Sequence, residues 1–139
     1  MAKPLVSVII PVYNDEKRII DCVTSVYEQN QLNFSLEVIV VDNGSNDGSV
    51  ALLKACESEA GSSVKPIFLD HNTGTTYSRN LALKQCVGQY VVVLDSDVEL
   101  HTDTLDVLLQ QAKTQTQVGM LVPKLLYGSG RLQKSTDSF

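Results

Sequence analysis

The sequence predicts an α/β domain with a mostly parallel sheet and helices on both faces. Three observations carry this. Short runs such as "LVSVII" (5–10) and "LEVIVVD" (36–42) are almost continuously apolar and β-branched, the pattern of strands covered on both sides. Segments with apolar residues at helical spacing separate these runs. Strand and helix alternate along the chain, as parallel pairing through crossover helices requires.

The run at 5–10 is the first strand. "DEKRIIDCVTSVYEQN" (15–30) follows, with acids in its first turn and Ile19, Cys22, Val23, Val26 and Tyr27 at helical spacing. After the second strand, "NGSNDGS" (43–49) is a polar turn into a helix carrying Val50, Leu53 and Cys56. "KPIFLD" (65–70) is the third strand, followed by a helix over 74–87 with Tyr77, Leu81 and Ala82 on its apolar side. "QYVVVLD" (89–95) is the fourth strand. Thr102 or Asp103 is placed to cap a helix striped with Leu105, Leu108, Leu109 and Ala112. "VGMLVP" (118–123) reads as a fifth strand and "GSGRLQKSTDSF" (128–139) as a polar tail.

The 139 residues suffice for one domain with a real core, and 43% hydrophobic with 19% charged content is ordinary for a globular protein. The net charge of −5, with no block of lysine or arginine, argues against a nucleic-acid partner. It also means that an anionic ligand needs local donors or a cation. Cys22, Cys56 and Cys86 lack CxxC or metal-ligand spacing and read as reduced thiols in or near the core, which fits a cytoplasmic setting. The first apolar run is too short for a signal peptide. No transmembrane segment is expected, because no stretch approaches the roughly 20 apolar residues a span needs. Contact with the inner face of a membrane is therefore expected to run through partners.

Ligands on such sheets bind beyond the carboxyl ends of the strands. Those ends are Pro11-Val12-Tyr13-Asn14-Asp15, Asp42-Asn43-Gly44-Ser45, Asp70-His71-Asn72 and Asp95-Ser96-Asp97, a rim of polar and acidic groups. In "YVVVLDSDVEL" (90–100) a buried strand runs straight into two carboxylates. In an extended segment Asp95 and Asp97 share one face. At about 6 Å they repel by roughly 3 kcal/mol at an effective dielectric near 20. A positive partner is expected.

The first turn contains no glycine, so a GxGxxG dinucleotide site and a P-loop are both disfavoured. A receiver domain wants acids after its first and third strands, and these fit poorly. A haloacid-dehalogenase-like phosphatase would use Asp95 as a phosphorylated nucleophile, but it needs a later acidic pair that does not follow here. The alternative is DxD as a handle for a divalent cation, Mg²⁺ or Mn²⁺, bridging protein acids to a nucleotide diphosphate.

"VSVIIPVYNDEKRIIDCVTSVYEQ", "EVIVVDNGSNDGS", "HNTGTTYSRNLAL" and "YVVVLDSDVEL" together resemble the family 2 inverting glycosyltransferases, which have the Rossmann-like GT-A fold. The four motifs run in order from Val6 to Asp97. "VGMLVPKLLYGSGRLQKS" is more faintly similar to a rhamnosyltransferase-like branch. The resemblance implies that Pro11, Tyr13, Asn14 and Asp15 frame the nucleotide, with Asn43 beside Asp42, which hydrogen-bonds the base. It implies that Gly74 lets backbone approach, that Arg79 faces the diphosphate, that Asp95 and Ser96 lie near the ribose, and that Asp97, with Asp95, holds the cation. Ser78 stands where the family motif has alanine. The donor implied is a UDP-, dTDP- or GDP-linked sugar, and the acceptor a glycan or lipid-linked hydroxyl. Plainer readings stand beside these: Tyr13 as edge packing, Asp42 and Asn43 as turn formers, Arg79 as a solvated helix residue or the ion-pair partner of a strand-end acid.

Inverting transfer needs a general base for the acceptor hydroxyl. Asp103 and Asp106 come too soon after the DxD, and Asp137 stands in the tail without a motif. The expectation is therefore that residues 1–139 are the single donor-nucleotide-binding portion of such a domain, with no catalytic base in this chain, or else a non-catalytic nucleotide-binding or assembly module. A truncated domain leaves apolar surface uncovered, so self-association as a homodimer is also expected.

Overall fold

The computed structural model describes residues 3–59, 63–115, 117–131 and 133. The elements alternate as β1 (Leu5–Val12), α1 (Ile19–Tyr27), β2 (Ser35–Asp42), α2 (Ser49–Ser58), β3 (Val64–Phe68), α3 (Thr75–Leu83), β4 (Tyr90–Val93) and α4 (Thr104–Thr114). The strands form one sheet in the order β3-β2-β1-β4, and every pairing is parallel. The chain starts at β1, works outward through β2 and β3, and then returns to the other side of β1. The order thus reverses between β1 and β4, and a crevice opens at their carboxyl ends.

The near-continuous apolar runs fill both faces. Val6, Val8, Ile10, Val12, Val38 and Val40 pack with Ile19, Cys22, Val23 and Val26 of α1, Leu53 of α2, and Leu105 and Leu109 of α4. Ile9, Ile39 and Val41 pack on the opposite face with Ala82 of α3. Helices therefore cover both faces, with α3 alone on one of them among the described residues. Its contacts fall on β1 and β2, and Val91 and Val93 of β4, paired with Ser7 and Ile9, remain exposed. None of the described helices is long and apolar enough to cross a membrane.

Several sequence-based expectations change. Residues 118–123 form no strand, and Met120 and Val122 are 80% and 73% exposed. An apolar run becomes a strand only when it finds an edge to pair with, and this one finds none among the described residues. Tyr77, placed on the apolar side of α3, is exposed. Asp103 occupies the N-cap of α4 without capping it by side chain. Gln29 performs that task, accepting from the Leu105 N–H (3.0 Å) while its amide donates to the carbonyls of Ser25 (3.1 Å) and His101 (2.8 Å). The fourth strand ends at Val93 rather than at Asp95. Asp137, in the tail, lies outside the described residues.

At the amino end of the sheet, Glu37 joins three strands. Its carboxylate accepts from Ser7 Oγ, from Lys65 Nζ (2.8 Å) and from the Val87 N–H (2.8 Å), and the Gly88 N–H donates to Ser7 Oγ (2.9 Å). Burial alone would raise the Glu37 carboxyl, but these hydrogen bonds and the Lys65 charge prevail and lower it to about 2.

Candidate functional site

A cleft of about 300 Å³ opens where the strand order reverses, walled by Pro11, Tyr13, Asp15, Arg18, Asn43, Thr75 and the Asp95–Ser96–Asp97 turn. The β1–α1 loop is stitched to the β2–α2 loop. Asn14 takes a left-handed backbone (φ 51°), which asparagine tolerates, and its side chain accepts from the Asn46 N–H (2.8 Å). The Asn14 N–H donates to Ser45 Oγ (2.9 Å), and the Asp15 N–H to Ser49 Oγ (3.1 Å). Glu16 and Asp47 complete the seam through the Gly48 and Glu16 N–H groups.

The second and third loops are tied through Asn43. This buried side chain donates to Asn72 Oδ1 (2.9 Å) and accepts from the Thr73 N–H (2.8 Å) and hydroxyl (2.9 Å). Asp42, at the end of β2, is fully buried. One of its oxygens accepts from the Ser45 N–H (3.1 Å), and the other has no partner. An unpartnered buried carboxylate oxygen is costly unless a ligand supplies a donor. Gly44, next along, has φ +76° and lies against the His71 backbone. Gly74 opens α3 with φ 84° and ψ 156°, a conformation open essentially to glycine alone. Nothing in the chain lies within 4 Å of where its Cβ would stand.

Asp95 and Asp97 do not lie on one face of an extended strand. The Leu94 N–H makes the last bond to β1, at Ile9 O (3.0 Å), and the chain then turns, with the Val98 N–H donating to Asp95 O (3.2 Å). Each carboxylate finds a guanidinium. Arg79, from the second turn of α3, meets Asp95 at 2.5 Å, and its Nε is buried without a partner. Arg18 reaches Asp97 at 3.5 Å while its Nε holds Asp15 at 2.7 Å. Ser96 Oγ donates to the other Asp15 oxygen (2.7 Å), joining the β4 turn to the β1 turn. The buried Cys22 thiol contacts the Asp95 carbonyl and is pushed up to about 12 by burial and then by the nearby Asp97 charge, which makes it a poor nucleophile.

Of the sequence-derived candidates, Pro11, Tyr13, Asp15, Asn43, Asp95, Ser96 and Asp97 line the cleft. Asn14, Asp42 and Gly74 are chain neighbours of lining residues, and Arg79 joins the cleft through Asp95. Arg18 and Thr75 line it without having been singled out. Only its pairing with acids 3 and 79 positions away marks Arg18. Among the described residues, no group of three or more His, Cys, Asp and Glu side chains forms a ready metal cage.

Comparison with known proteins adds to this geometry. The sequence profile of glycosyl transferase family 2 matches residues 7–137. TuaG of Bacillus subtilis strain 168, provisionally named a teichuronic acid biosynthesis glycosyltransferase, is 39% identical over 108 residues, covering 78% of this chain and 42% of TuaG. S. aureus TarS, solved in complex with UDP, matches with a TM-score of 0.71 at 28% identity over 88% of this chain and 39% of that one. The mannosyltransferase PcManGT from Pyrobaculum calidifontis, solved with GDP-Man and Mn²⁺, matches with a TM-score of 0.73 at 29% identity, covering 80% and 33%. None of the three is named for rhamnosyl transfer. The chain spans less than half the length of each. The parallel sheet with its reversal of strand order is that of a GT-A domain, and, with the profile matched over nearly its whole length, the chain belongs to glycosyl transferase family 2.

Proposed function

We propose that this chain is the donor-binding portion of a metal-assisted inverting glycosyltransferase, taking a UDP-, dTDP- or GDP-linked sugar for transfer to a hydroxyl of a glycan or lipid-linked acceptor. The observation that carries the reading is that the Asp95–Ser96–Asp97 turn and the Tyr13–Asp15 turn share one cleft at the carboxyl end of the sheet. UDP in TarS and GDP-Man in PcManGT support a nucleotide-sugar donor. TuaG's name supports a place in building cell-surface polysaccharide.

In this reading the unpartnered Asp42 oxygen accepts an N–H of the base, while Pro11, Tyr13, Asn14, Asp15 and Asn43 hold the nucleoside. Asp95 and Ser96 lie toward the ribose. The open space at Gly74 admits the diphosphate, and Arg79 and its orphan Nε offer it donors. The cleft walls carry three carboxylates against Arg18. An anion therefore enters more readily with a cation.

The residues fit a divalent cation. Asp97 is half exposed to the cleft and Asp95 stands two residues away. One or two carboxylates suffice for Mg²⁺ or Mn²⁺ when phosphate and water fill the remaining positions. Once bound, the cation stabilises the charge that develops on a diphosphate leaving group. Calorimetry with UDP, GDP and dTDP, with and without Mn²⁺, tests the reading. Binding of one of them that Mn²⁺ strengthens is expected, and no binding of any would overturn it.

One observation favours a second reading, a nucleotide-binding module without turnover. Every carboxylate lining the cleft is already engaged by arginine or serine, and Asp106 is held by Asn33 (2.9 Å) and Gln110 (2.7 Å). No carboxylate that lines the cleft is thus left unpaired to serve as a base. Donor hydrolysis or transfer by the purified chain would exclude that reading.

A further inference from the structure

We propose that Arg18 couples the cation to the nucleotide by exchanging Asp97 for the diphosphate. This rests on the donor-cleft reading above. Two ion pairs of unequal strength make Arg18 a pivot. Its Nε holds Asp15 at 2.7 Å, and that carboxylate is only 7% exposed and fixed from its other oxygen by Ser96. Its backbone is held too, by bonds from its N–H to Asp15 O (3.1 Å) and from the Cys22 N–H to its carbonyl (3.0 Å). The far end of the guanidinium is held loosely. Nη1 lies 3.5 Å from Asp97 Oδ2, with the two side chains 59% and 50% exposed. Water screens a pair of that kind until it contributes little.

Asp97 thus carries a counter-charge that a divalent cation displaces easily. The displaced guanidinium stays in the cleft because Asp15 keeps its Nε. Its terminal nitrogens then become a free fork, whose planar geometry suits two-point hydrogen bonding to phosphate oxygens. Before the diphosphate arrives, the same positive charge opposes the cation. Cation and nucleotide each bind better when the other is present, and the coupling is reciprocal. Arg79 is not suited to this role, since its partner Asp95 lies at 2.5 Å. Arg18 is a positioning residue for the ligand pair.

The test is a set of titrations on the wild-type chain and Arg18→Gln. Mn²⁺ alone is titrated first. Whichever of UDP, GDP and dTDP binds the wild type follows, with and without saturating Mn²⁺. Thermal melting serves as the folding control. The Gln variant should bind Mn²⁺ alone several-fold more tightly, and the nucleotide with Mn²⁺ about tenfold more weakly, so that the coupling factor shrinks. Unchanged Mn²⁺ affinity and unchanged coupling in a variant that melts like wild type would overturn the proposal. Arg18→Lys keeps the charge without the fork. It should match the wild type toward Mn²⁺ alone and still lose coupling, and it decides the matter if the Gln variant does not fold, since full coupling in it overturns the proposal. If the wild type binds none of the three nucleotides, the donor reading fails and this inference with it. That outcome differs from nucleotide binding that is indifferent to Arg18.

Discussion

Arg79 Nη2 lies 2.5 Å from Asp95 Oδ1, tying the second turn of α3 to the turn that ends β4. Both side chains are partly exposed, so the pair contributes little to stability. Arg79→Ala should therefore change unfolding free energy by less than about 1 kcal/mol. Loss of its donors should weaken nucleotide binding about tenfold. Denaturant unfolding and calorimetry separate the two effects. A large stability loss with unchanged affinity would assign Arg79 to the fold alone.

Asp97→Asn removes a charge that is half exposed in the cleft and held only by a 3.5 Å pair. Melting should stay near wild type. The Mn²⁺-dependent part of nucleotide binding should fall roughly tenfold or more, since cations of this class require anionic oxygen. Equal Mn²⁺ enhancement in the variant would remove Asp97 from the cation site.

Asp42→Asn keeps one side-chain oxygen to accept from the Ser45 N–H but changes what the unpartnered position offers. A base N–H that donates to the carboxylate meets an amide donor instead. Nucleotide affinity should drop about tenfold, by loss of a charge-assisted hydrogen bond. Isothermal titration checks it, and unchanged affinity would leave Asp42 with only its loop role.

Glu37 makes stability pH-dependent. Its folded pKa is depressed from 4.5 to about 2, so its contribution is present above pH 4.5 and is lost as pH falls toward 2. Glu37→Gln should destabilise the protein near neutral pH by roughly 2–3 kcal/mol. The gap from wild type should close as the medium is acidified through that window. Urea midpoints at neutral and acid pH measure it, and a gap that stays constant would show that the charge is not what stabilises.

Gly44→Ala places a Cβ 2.5 Å from the His71 backbone at a φ of +76°. Backbone is in the way, so the strain has no cheap release, and a loss of roughly 2–4 kcal/mol is expected. Wild-type unfolding midpoints in this variant would mean that the loop opens freely.

Much of the fold was legible in the sequence because a two-sided parallel sheet needs uninterrupted apolar strands, and "LVSVII" and "EVIVV" have no other use. The apolar run at 118–123 misled because composition does not say whether a strand edge is at hand. The paired acids misled in a second way. An apolar run leading into Asp95 suggests continued extension, yet β4 makes its last bond to β1 at Leu94 and the turn begins there. Gln29 and Glu37 carried no local signal, since each works through residues far along the chain.

By itself the sequence determined the alternation of strand and helix, the acidic rim and the family, because these depend on neighbours a few residues apart and on motifs of fixed spacing. Tertiary structure decided which charges meet. Asp95 with Arg79, Asp97 with Arg18, and Asp15 with Ser96 come together only after β4 docks beside β1, which brings residues as many as 81 positions apart into hydrogen-bond range. A charge's partner is set by distance in space, and no local pattern encodes that distance.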